Sequence, residues 1–271
     1  MNNYSLNKSF RSNYGEVKYG ISGEGPPLIL VHGTPWSSFN WRHIIPGLSQ
    51  WFTVYYYDLP GYGLSEKGEN VSLGIQNQVL HELLTHWKME NPVMIGHDFG
   101  GTTVLRTHLL NNWPFKKMIL IDPVAVGPWG SPFFSHVNEY EKAFRGIPSY
   151  IHDSIVSAYV QSAMFKEMNA ETLSGIKAPW SGKEGQAAFY RQIAQADQTF
   201  TDEIEESYPH IQVPALLIWG EEDTWIPIEK GRQLHQAIPD SLFISVPEAG
   251  HLVQEDQPAT LLAHLLRFAS S

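Results

Sequence analysis

The chain has no cysteine among its 271 residues. That excludes a disulfide framework, a thiolate nucleophile and a thiolate metal site, and it leaves the redox compartment unread. Basic residues are few as well: 18 Lys and Arg stand against 28 Asp and Glu, a net charge of -10. Such a chain is repelled by nucleic acid and by anionic membrane surfaces, so neither is expected as a partner. No apolar run approaches membrane-spanning length, and the N-terminal MNNYSLNKSFRSNYGEV lacks the apolar stretch of a signal peptide. A cytoplasmic location is the default expectation. There is no G-x-G-x-x-G or P-loop glycine pattern, no H-E-x-x-H or comparable cluster of His and carboxylates, and no internal repeat or low-complexity tract. Neither a cofactor nor a metal is expected.

What is present has the periodicity of a sheet buried on both faces. LILVH (28–32), TVYYYD (53–58), PVMIG (92–96), KMILID (117–122) and PALLIWG (214–220) are short, nearly continuous apolar runs, and a shorter strand-like SLFISV precedes the last helical stretch. Between them, residues 73–88, 99–111 and 257–269 carry helical spacing. Strands alternating with helices predict an α/β fold with a mostly parallel sheet and helices on both faces. The alternation stops after Asp122. Residues 123–207 contain helical stretches rich in Trp, Phe, Tyr and Met, broken at GPWGSP and APWSG. The expected organisation is a core of residues 1–122 and 208–271, with residues 123–207 inserted as a helical cap, or lid, over the sheet's C-terminal edge.

Three segments carry chemistry. In GHDFGG (96–101), Asp98 occupies the middle of a G-x-D-x-G turn between a strand and a helix, where the G-x-S-x-G elbow holds a serine nucleophile. Gly96 and Gly100 leave room for the turn, and Gly101 lets the helix approach the sheet. In VHGTPWSS (31–38), directly after a strand, the Thr34 amide is one candidate oxyanion donor, because Pro35 has no N–H; the Phe99 amide is the other. Near the C-terminus, WGEEDTWIP and EAGHLVQEDQP place Asp223 and His251 in the chain order nucleophile, acid, histidine. Asp122, ending another strand in LIDP, competes with Asp223 as the acid.

An aspartate at the elbow suits an sp3 carbon. Serine attack there would leave an ether, whereas a carboxylate leaves an ester whose carbonyl water can attack. A carboxylate is ionised near neutral pH, so the first step needs no base. His251 is then free to activate water, with Asp223 fixing its tautomer.

HGTPWSSFNWRHIIP, DLPGYGLSEK, GHDFGG and HLVQEDQP resemble segments of the aspartate-nucleophile branch of the α/β-hydrolase superfamily, which includes epoxide hydrolases and haloalkane dehalogenases. The resemblance runs over nearly the whole chain. It implies the α/β-hydrolase fold, a small apolar substrate and water as co-substrate. Dehalogenases of the branch hold the leaving halide with side-chain N–H donors beside the nucleophile and at the H-G-N-P position, which are Phe99 and Thr34 here; neither supplies one. Trp36, Trp129 and Trp180 are substitutes for that role. Fluoroacetate dehalogenases carry an arginine where Phe99 stands. Epoxide hydrolases use lid phenols, and AAFYRQIAQ resembles the segment bearing one, which implies Tyr190; Tyr140, Tyr150 and Tyr159 compete as the second. The leading expectation is therefore epoxide opening, with dehalogenation next and a non-catalytic small-ligand receptor third. Trp36, Trp129, Phe133, Phe134 and Phe165 are the expected lining of an apolar cleft between lid and sheet.

Overall fold

The computed structural model describes residues 4–271. Residues 1–3, assigned above to the core, lie outside the described residues. Eight strands form one sheet: β1 (Lys8–Ser12), β2 (Gly15–Ser22), β3 (Pro27–Val31), β4 (Thr53–Tyr57), β5 (Val93–His97), β6 (Lys117–Ile121), β7 (Ala215–Gly220) and β8 (Leu242–Val246). They run in the order β1-β2-β4-β3-β5-β6-β7-β8, antiparallel through β1, β2 and β4 and parallel from β4 onward.

Alternation along the central strands divides the core between the two faces. Leu28, Leu30, Val93, Ile95, Ile119, Ile121, Leu216 and Ile218 belong to one apolar layer, packed against α1 (Ile45–Leu48) and the last helix. Ile29, Val31, Met94, Met118, Leu120 and Leu217 belong to the other, packed against α2 (Leu73–His86) and α3 (Phe99–Leu110). With both faces covered, no polar alternation was available to mark these strands, and continuous apolar runs did so instead.

Between β6 and β7 the chain forms α4 (Pro132–Arg145), α5 (Ser149–Gln161), α6 (Ala170–Lys177), α7 (Gly182–Ala194) and α8 (Thr199–Glu205), with no strand among them. The remaining helices are α9 (Ile228–Ala237), α10 (Val253–Asp256) and α11 (Pro258–Ser270). Proline at the first position of α11 has no N–H to leave unpaired, which suits a helix start. The helix expected over 73–88 stops at His86, because Lys88 turns to a φ of 56°. Among the described residues, no helix is long and apolar enough to cross a membrane.

The parallel strands all end on the same side. β3 leads into His32-Gly33-Thr34, β5 into Asp98, β6 into Asp122 and β7 into the turn bearing Asp223. Groups far apart in sequence are thereby gathered at one sheet edge, the usual location of ligand sites in open α/β sheets.

Candidate active site

Asp98 has φ 53° and ψ −123°, a backbone conformation that non-glycine residues seldom occupy. The turn is held from both sides. The Asp98 amide donates to the Ile121 carbonyl at 3.1 Å, and the Asp98 carbonyl accepts from the Gly101 amide at 2.9 Å. The glycines around it are forced by contact: a Cβ on Gly96 would lie 2.6 Å from the Gly100 carbonyl oxygen, one on Gly100 2.2 Å from that of Val31, and one on Gly101 2.5 Å from the Pro123 side chain. Asp98 also precedes the first turn of the twelve-residue α3, whose free amides and dipole favour a negative charge there.

The two oxygens of the Asp98 carboxylate have different surroundings. Oδ1 accepts the Thr34 amide at 2.6 Å. Oδ2 lies 3.4 Å from His251 Nε2. Gly33 brings Thr34 this close, since a Cβ on Gly33 would stand 2.2 Å from Oδ1. Gly33→Ala is therefore expected to displace Asp98 or Thr34, lowering stability by about 1–3 kcal/mol through overpacking and turnover by roughly 100-fold through lost alignment. Thermal unfolding and steady-state rates check this, and near-normal values for both would contradict the contact.

His251 is fully buried, with Nδ1–H donating to Asp223 Oδ2 at 2.8 Å. Asp223 Oδ1 accepts the amides of Trp225 and Ile226 at 2.8 and 2.9 Å, so the turn after β7 fixes the carboxylate. Burial opposes charge on the His251 ring, but the Asp223 anion and hydrogen bond, with Asp98, outweigh it and hold the ring well above the usual histidine value. Asp122 is placed differently. Its Oδ1 accepts the Gly220 amide at 2.9 Å, and it is Asp223 that accepts the histidine Nδ1–H. His97, the residue before the nucleophile position, donates from Nε2 to the His251 carbonyl at 2.8 Å. It is held well below the usual histidine range by burial first and by the neighbouring His251 charge. Its anchoring role was not read from the sequence.

A cavity of about 220 Å³ opens over Asp98, lined by Thr34, Phe99, Val124, Trp129, Pro132, Phe134, Tyr159, Trp225 and Ile226, among others. Of the five expected lining residues, Trp129 and Phe134 take part. Trp36 does not: it forms a layer behind the wall, stacked on Trp225 at 5.6 Å, and Trp225 stacks in turn on His251 and Tyr159. Phe133 packs against Phe144 and Tyr159 within the insertion, and Phe165 is 47% exposed. Trp225 was missed, although it stands two residues after Asp223.

The lid phenols are also redistributed. Tyr190 is fully buried in the insertion, its hydroxyl donating to His152 Nδ1 at 3.1 Å while His152 Nε2–H donates to the Trp180 carbonyl at 2.9 Å. It is not among the residues lining the cavity over Asp98. Tyr150 and Tyr140 are 70% and 46% exposed. Tyr159 is the lid tyrosine that faces Asp98. Burial first, then the Asp98 charge, hold its phenol well above the usual tyrosine value, so it keeps its proton. The indole N–H groups expected as halide donors are engaged elsewhere: Trp129 donates to Thr201 Oγ1 and Trp180 to the Pro35 carbonyl, both at 2.8 Å. The Trp36 N–H has no partner, but Trp36 lies off the cavity.

The chain belongs to the alpha/beta hydrolase fold family, whose model matches residues 26–258. It is an enzyme of that class. It is 28% identical over 256 residues to the uncharacterized hydrolase YugF of Bacillus subtilis (strain 168), covering 89% of each chain. It is 27% identical to haloalkane dehalogenase 2 of Mycobacterium tuberculosis (strain ATCC 25618 / H37Rv), covering 95% of this chain and 92% of that one. Among solved structures it is similar to an alpha/beta hydrolase fold protein from Burkholderia ambifaria, with TM-score 0.95 and 45% identity over 97% of this chain and 98% of that one.

Proposed function

We propose that this enzyme opens an epoxide on a small apolar molecule with water, through an ester on Asp98. The observation that carries the reading is the divided carboxylate: Oδ1 on the Thr34 amide, Oδ2 toward His251. In the first step Oδ2 attacks an epoxide carbon, the C–O bond breaks, and the ring oxygen takes the Tyr159 proton. In the second, water loses a proton to His251 Nε2 and adds to the Asp98 carbonyl carbon, while the Thr34 and Phe99 amides hold the oxyanion on Oδ1. Collapse expels the diol oxygen, which takes the proton back from His251. The proton left on the Asp98 carboxyl returns to the Tyr159 phenolate. Ester formation removes the Asp98 charge, one of the two anions that raise His251, so the ring holds a proton less tightly and its neutral form is available to act as a base. The insertion serves as a lid, supplying Tyr159, Trp129 and Phe134 and excluding water around an apolar substrate.

A bromide leaving group needs N–H donors and no proton, and the indoles on the cavity wall already have other acceptors: Trp225 donates to Ser162 Oγ at 3.0 Å, Trp129 to Thr201. That favours the epoxide over the halide. The test is a panel of terminal epoxides, bromoalkanes and aryl esters, with diol, bromide and phenol followed separately. Tyr159→Phe is expected to slow alkylation by epoxides on the order of 10²-fold, the effect of losing a general acid, with hydrolysis of the ester little changed; Tyr190→Phe should leave alkylation near normal. Efficient bromide release with no diol from any epoxide would replace the epoxide by a halide. Binding without turnover of any class would make the protein a receptor.

A further inference from the structure

Behind His251 stand two carboxyl groups where the base needs one. Asp122 is fully buried and follows β6 with φ 40°, and it is tied to the Asp223 turn through Gly220, whose amide bonds Asp122 Oδ1 at 2.9 Å and whose carbonyl accepts the Asp223 amide at 3.3 Å. Its Oδ1 accepts the Gly220 amide, while no N–H or hydroxyl reaches Oδ2. Two carboxylates buried beside one another cannot both stay ionised, so one proton belongs to the pair. The donors decide where it sits: Asp223 receives the Trp225 and Ile226 amides and the His251 Nδ1–H, three bonds that favour the anion, whereas Asp122 receives one.

We infer that Asp122 is a neutral carboxylic acid at neutral pH and acts as a positioning residue, its O–H donating to Asp223 and moderating the negative charge that Asp223 presents to His251. This rests on the reading of His251 as the base in the proposed function. Burial, then the Asp223 charge, hold the Asp122 carboxyl well above the usual carboxylate range, in keeping with that state. The titratable groups facing the pair are His251 itself and, around its ring, Asp98 and neutral His97. The unpartnered Oδ2 is thereby explained, since it is the atom that bears the proton.

The test has one arm without substrate. Infrared spectra of the wild-type protein at neutral pH should contain a protonated-carboxyl C=O band, sensitive to D2O exchange, that disappears in Asp122→Asn. Absence of the band overturns the inference whatever the enzyme's substrate proves to be, and its presence in a protein that never forms an ester leaves the pair standing while the function falls. The second arm is the pH profile of ester hydrolysis. Asn tolerates the positive φ and keeps an N–H donor, so Asp122→Asn should lower kcat about threefold and leave the acid limb in place. Asp122→Ala removes the donor, which should move the acid limb to higher pH and lower kcat roughly tenfold, as for loss of a hydrogen bond to a charged group. An acid limb that moves to lower pH in Asp122→Asn would mean that an anion had been removed from beside His251, and would overturn the inference. So would an unchanged profile in Asp122→Ala.

Discussion

In a His251→Gln variant, the enzyme is expected to stop at the ester. Attack by Asp98 needs no base, whereas hydrolysis depends on the Nε2 atom that faces Oδ2 at 3.4 Å. Steady-state turnover should fall by about 10³-fold or more, as when a base that acts in concert with the nucleophile is lost. Alkylation in the first turnover should remain. Intact-mass spectra after addition of a proven substrate should show one stable adduct, and peptide mapping should put it on Asp98. No adduct in His251→Gln, or the same adduct in Asp98→Ala, removes the ester mechanism.

Asp223→Asn is expected to lower turnover on the order of 10⁴-fold, the size of the tautomer error in analogous triads. The carboxylate accepts from Nδ1, so that once the ester has removed the Asp98 charge the neutral ring presents a free Nε2 to the cavity. An amide presenting its N–H₂ to Nδ1 would demand the opposite tautomer. The Trp225 and Ile226 amides can still bond the Asn oxygen, so the unfolding temperature should move little while the hydrolytic step collapses. Asp122→Asn should do far less. The reverse ranking would make Asp122 the partner of the histidine.

Much of this arrangement was legible because β3, β5, β6 and β7 each run into a turn that bears a candidate site residue. The strands at 28–32, 53–58, 92–96, 117–122 and 214–220 stood out by continuous apolar runs, the turns beyond three of them carry Thr34, Asp98 and Asp223, and His251 follows the shorter strand-like SLFISV. The N-terminal hairpin did not stand out. β1 is a half-exposed edge strand, KSFRS, with little apolar content to mark it. Lid side chains were the least legible, for a physical reason. Helical spacing gives the faces of α5 and α7 but not which face meets the cavity, which depends on how the helices dock; hence Tyr159 could not be separated from Tyr140 and Tyr150, and Tyr190, expected as the lid acid, is bonded to His152 and is not among the residues lining the cavity. Trp36 and Phe165 failed similarly, being aromatic and near the site in sequence without reaching its wall. The segments HGTPWSSFNWRHIIP and HLVQEDQP, read as marks of the aspartate-nucleophile branch, meet through the fork of Arg42 on Glu255, a buried ion pair.

Asp256, in the second of those segments, accepts the Gly250 amide on Oδ2 at 2.9 Å, the Phe165 amide on the same oxygen at 2.9 Å and the Lys166 amide on Oδ1 at 3.0 Å. A single side chain thus moors both the loop of the base and the far end of the lid. A displacement of residues 165–166 would therefore be passed through Asp256 to the loop that carries His251. Elsewhere on the lining of the cavity over Asp98, Trp129, Gly130 and Phe134 stand between this cavity and a second, more polar hollow bordered by Asn138, Glu139 and Asp197. The bonds that hold His251, from Asp223 and His97, involve none of these three residues, so among the described residues the inserted segment is tied to the histidine at one end only.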